Sequence, residues 1–123
     1  MSTYLTAFNN LVLKFNEDLI FIFPEENDFK VYKRGIVILN SANAKKICLL
    51  FKNYSNLYRK QIENKDDNFF LNNSNEILQS NNIEGIENII NKLKFYWTQL
   101  SDSNKEKIWQ YLNSLLKLSD LIN

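Results

Sequence analysis

Histidine is absent from this 123-residue chain, and cysteine, methionine and proline occur once each. Without histidine there is no base for a Ser–His–Asp or Cys–His arrangement and no imidazole for a zinc site. Glycine stands only at Gly35 and Gly85, so neither a G-x-x-x-x-G-K-S/T loop nor a G-x-G-x-x-G turn can be built to cradle a phosphate. The lone Cys48 cannot form an intramolecular disulfide, which points to a reducing compartment. Charge of neither sign dominates: the formal net charge is +1, whereas a dedicated nucleic-acid domain is usually strongly basic. The most apolar run, Leu19-Ile20-Phe21-Ile22-Phe23, is far short of the roughly 20 residues needed to cross a bilayer. Residues 1–10 lack the basic and apolar regions of a signal peptide, and the C-terminus lacks a lipidation motif. The expectation is a soluble, intracellular protein.

What is present is large and greasy. Phe, Tyr, Met, Ile, Asn and Lys supply 62 of the 123 residues, and Gly, Ala, Arg and Pro together supply eight. That bias follows AT-rich codons, so the 20 scattered asparagines describe a genome more than a binding site. Hydrophobic residues at 45% and aromatics at 14% exclude intrinsic disorder as the default. Area scaling gives about 6,900 Å² folded against roughly 21,000 Å² unfolded, enough burial for one core in one domain over residues 1–123.

The apolar residues recur at helical spacing. After Ser2, a candidate N-cap, the stripe Tyr4, Leu5, Phe8, Leu11, Val12, Phe15, Leu19, Ile22 predicts an amphipathic helix that Pro24 ends. The acidic run Glu25-Glu26-Asn27-Asp28 starts a second helix bearing Phe29, Tyr32, Ile36 and Leu39. Gly35 weakens this helix, and Ile36-Val37-Ile38-Leu39 could alternatively form a short strand. Asn43 is read as the cap of a third helix that buries Ile47, Leu50, Phe51, Tyr54, Tyr58 and Ile62 and ends near Asn64. Phe69-Phe70-Leu71 plug the core from a polar stretch, and a short helical turn is expected around Glu76 to Ser80. Asn82 opens a fourth long helix with Ile86, Ile89, Ile90, Leu93, Trp97 and Leu100 inward. Ser103 and Glu106 form a capping-box pattern ahead of Ile108, Tyr111, Leu112, Leu115 and Leu118. Trp97 and Trp109 flank the last connection, so a hairpin with its indoles near the turn is expected. The fold class is therefore all-α, one domain of about five helices in an irregular bundle closed by a C-terminal helical hairpin.

Candidate chemistry is thin. The pairs Glu25–Glu26 and Asp66–Asp67 could hold a hard cation, but they read as a helix start and a solvated loop. A calcium loop counted from Asp66 would need glycine where Leu71 stands and glutamate where Ile77 stands. Tyr54, Tyr58, Trp97 and Trp109 could stack on a ligand, yet each lies on or beside an apolar face, and core packing is the reading. The one uneven feature is charge: residues 43–62 carry +5 and residues 63–91 carry −5. Lys45, Lys52 and Arg59 recur every seven residues and so share one side of the third helix, widened by Lys46 and Lys60. These five residues are the candidate interaction surface, for phosphates, for a protein partner, or simply as a solvated or internally paired face. Leu13, Phe21, Leu49, Leu57, Phe95 and Leu116 lie off the main stripes, more than a small core absorbs, and extra apolar faces mark protein contacts.

The runs Phe23–Lys30, Asn64–Leu71 and Tyr96–Asp120 resemble short uncharacterised helical proteins of nucleocytoplasmic large DNA viruses, the mimivirus-like giant viruses especially. The resemblance carries over no active residue. It implies the cytoplasm of an infected cell, with a place in the virus factory or the virion. The expected function is a non-enzymatic interaction or structural module of a giant virus, associating with itself or with another viral protein. It uses no cofactor, metal, membrane or small-molecule substrate. The alternatives are a nucleic-acid accessory protein using the basic helix and a host-interaction factor with a groove for a partner helix.

Overall fold

Six α-helices account for the architecture in the computed structural model, which describes residues 3–71 and 86–122. Among these residues about 85% are helical and none lies in a strand, so the chain is an all-α single domain. The Ser2 cap, the turn around Glu76 to Ser80 and the Asn82 start fall outside the described residues.

Helix α1 (Thr3–Ile22) buries Leu5, Phe8, Val12, Phe15 and Leu19, a stripe at intervals of three and four. Pro24 has no N–H to continue it, and the chain turns as Glu26 N donates to Phe23 O. Helix α2 (Asp28–Ala42) begins with an aspartate at the positive end of its dipole. It runs unbroken through Gly35 and through residues 36–39, which are helix rather than strand. Two asparagines on α1 hold it in place. Asn16 Nδ2 donates to Phe29 O at 2.8 Å near its start, and Asn9 Nδ2 donates to Ala44 O at 2.8 Å just past its end.

Asn43 serves both helices at this junction, and its carbonyl accepts from Lys46 N. Its extended backbone closes α2 through a bond to Leu39 O, and its side chain accepts from Lys45 N. Helix α3 (Lys46–Glu63) starts with Lys45 at the N-cap position and no side-chain cap. It kinks at Tyr58, whose ring meets Tyr54 and Phe69. Lys65, with φ 52°, reverses the chain into α4 (Asn68–Leu71), a single turn that drives Phe69 and Phe70 into the core.

Helix α5 (Ile86–Tyr96) buries Ile86, Ile89, Ile90 and Leu93. It was expected to continue to Leu100 but tightens into a 3-10 turn at Trp97–Gln99, where Leu100 N bonds to Trp97 O. Helix α6 (Asp102–Asp120) takes its cap from Ser101, whose hydroxyl accepts from Asn104 N at 3.1 Å. The Ser103–Glu106 box is not used. Ser103 already lies inside the helix, and Glu106 instead pairs with Lys65. The two indoles meet at the turn as expected, 5.6 Å apart and nearly perpendicular. Beyond that turn, among the described residues, α6 lies along α1 and α3 rather than back along α5, so the expected C-terminal helical hairpin does not form and the last helix closes the bundle against the first and third. Tyr111 stacks on Phe15, and Asn113 Nδ2 donates to Ile62 O. The centre is aromatic: Phe70 stacks on Trp97 at 4.0 Å, with Trp109 and Phe69 packed around them.

Candidate interaction surface

The structure divides the five basic residues of α3 and its approach. Lys52 extends to the C-terminal end of α6, where its Nζ donates to Ile122 O. Arg59 reaches the same helix and grips Asp120 with both guanidinium nitrogens, at 2.7 and 3.1 Å, with Glu63 at 3.8 Å. The fork-to-carboxylate geometry holds Asp120 below the usual carboxylate range. These two cations therefore tie α3 to α6. Lys45 and Lys60 remain exposed, and Lys46 is half-buried.

The acidic pairs separate in the same way. Glu25 is exposed, while Glu26 belongs to a cluster that joins the start of α2 to α5. Tyr96 Oη donates to Glu26 Oε1 at 2.7 Å, and Lys92 Nζ lies 2.6 Å from Asp28 and 3.4 Å from Glu26. The Tyr96 phenol, the Asp28 amide and Lys92 together hold the pKa of Glu26 below its ordinary value. Asp66 accepts from Asn68 N and so opens α4. Among the described residues no three His, Cys, Asp or Glu side chains converge as a metal site. Tyr54, Trp97 and Trp109 lie in the core and Tyr58 packs against it; burial pushes the Tyr54 phenol well above its ordinary value.

The apolar surplus has a location. Phe21, Leu49, Leu57 and Phe95 are exposed, Leu13 is half-buried, and Leu116 joins the core after all. The residues that sequence reasoning passed over are on α2. Val31 and Ile38 stand 51% and 69% exposed, and between them Gly35 leaves open space where a side chain would be. With Tyr32, Leu39, Ala42 and Asn88 of α5 they line an apolar groove of about 440 Å³. The Glu26–Lys92–Asp28 cluster ties α2 to α5, and Lys92 lies one turn beyond Asn88, so the ion pairs brace the α5 wall of the groove. A signal was available: residues 31, 35, 38 and 42 follow a 4-3-4 spacing on a side distinct from the core stripe Phe29–Ile36.

No family model, curated protein or solved structure matches the chain.

Proposed function

We propose that this protein is a non-enzymatic interaction module that docks on another protein or on itself through the outer face of α2. The observation that carries the reading is the open apolar groove along Val31, Gly35, Ile38 and Ala42, braced by buried packing beneath and ion pairs at one wall. An apolar strip left in water forfeits about 25 cal/mol per Å², which a partner recovers. The likeness of its sequence runs to giant-virus proteins supports a viral setting, in the factory or virion of an infected cell. The basic-helix reading has less support, because Lys52 and Arg59 are engaged with α6 and only Lys45, Lys46 and Lys60 are left for phosphates.

The test compares tagged wild-type chain with a Val31→Asp/Ile38→Asp variant in infected cells, after circular dichroism has shown that both are folded. Both substitutions fall on exposed positions. A defined viral protein, or a differently tagged second copy, should be retained by the wild type and lost by the variant. Identical recoveries from the two chains would overturn the assignment to α2.

A further inference from the structure

Resting on that reading, we propose that the occupant of the α2 groove is a second copy of this chain, packed antiparallel about a twofold axis that passes between the two helices at the level between Ile36 and Val37. A twofold contact requires a face that fits itself. The exposed stripe of α2 alternates large and small along its length: Val31, Gly35, Ile38, Ala42. Antiparallel pairing about that axis sets Ile38 over Gly35 of the second copy and Val31 over Ala42 of the second copy. Each large side chain then meets a small one, and each pairing occurs twice. Parallel pairing in register would instead set glycine against glycine and isoleucine against isoleucine, leaving a void beside a collision.

The space exists. Among the described residues a Cβ at Gly35 would meet nothing within 4 Å, so the floor of the groove has room for an incoming isoleucine. Charge complements shape. Asp28 in the first turn, half-exposed beside its own Lys92, comes level with exposed Lys45 of the second copy, just beyond the other end of the helix. Arg34 on the flank comes level with Leu39 of the second copy, whereas parallel pairing in register would face it with its own like. The two helix dipoles also oppose. A face about 22 Å long and one helix wide covers a few hundred Å² per copy, less than the about 800 Å² of a standard interface. The dimer is therefore a reversible one, with a dissociation constant on the order of tens of micromolar or weaker.

Sedimentation equilibrium of the purified full chain over two orders of magnitude in concentration tests this, together with Gly35→Leu. The leucine enters open space on the monomer and adds helix propensity, so the variant should melt at or above the wild-type temperature. It fills the notch that Ile38 of the second copy needs, so the association constant should fall at least tenfold. Lys45→Glu should weaken association and remove part of its salt dependence. A wild-type chain that stays monomeric throughout would overturn the proposal, as would a dimer that Gly35→Leu leaves intact. If the monomeric chain still retained a defined viral partner through Val31 and Ile38, the twofold contact would fail while the docking reading stood.

Discussion

Phe70 sits in the middle of the aromatic interior. It is fully buried, stacked on Trp97 at 4.0 Å and in edge contact with Trp109 and Phe69. Phe70→Ala should therefore cost about 3–5 kcal/mol in urea unfolding, whereas exposed Phe21→Ala should change stability by less than about 0.5 kcal/mol. Asn16 works differently, since it satisfies a helix-start carbonyl rather than filling space. Asn16→Ala leaves Phe29 O without that donor and should lower stability by about 1–3 kcal/mol. Two carboxylates give the protein its acid limit. Glu26 and Asp120 are held below their ordinary values of 4.5 and 3.8 by Tyr96 and Arg59. A lowered carboxylate contributes stability that is complete above its unfolded value and is lost as pH falls through its folded value. Melting temperature should thus be flat near neutrality and fall below about pH 4.5, less steeply in a Glu26→Gln/Asp120→Asn variant.

At the scale of the element, start signals decide more than propensity. Ser101→Ala removes the bond to Asn104 N and should destabilise by about 1 kcal/mol, while Ser103→Ala should be close to neutral. Gly35→Ala should raise stability by about 0.5–1 kcal/mol, because α2 is helical at that point and the methyl meets nothing. The helices themselves were legible because their apolar residues keep a period near 3.6: the buried faces of α1 and α5 are the ones the spacing predicts, save that Tyr4 at the start of the α1 stripe is exposed. What misled the reading were local contests between equally suitable groups. Two serines, Ser101 and Ser103, compete to cap α6, and only backbone geometry separates them. Asn43 does two things at once: its backbone N–H ends α2 while its side chain accepts from Lys45 N on the way into α3, whose N-cap position lies two residues beyond the expected one. The Ile36–Leu39 run has β-branched residues that suit a strand, and burial of Ile36 beside Phe29 within one helix overrides that preference. The basic stripe of α3 was legible as a stripe; that two of its members reach α6 depends on contacts 61 and 70 residues away in sequence.

Taken as a whole, the molecule is an aromatic-centred helical domain whose outer surface retains more grease than its interior needs. Among the described residues no helix is long and apolar enough to cross a membrane. Phe95 packs edge-on against Tyr96, which stacks on Phe23, and Phe21 lines none of the grooves described, whereas the exposed apolar residues of α2 line one groove braced on one wall by Lys92 with Glu26 and Asp28. That difference separates tolerated exposure from a contact face. The most direct check is an amide NMR dilution series, read residue by residue. Concentration-dependent shifts should cluster on Val31, Gly35, Ile38 and Ala42 and be absent from the spectra of Gly35→Leu; shifts centred on the α3 lysines or on Phe21 and Phe95, or a spectrum indifferent to concentration, would contradict the account.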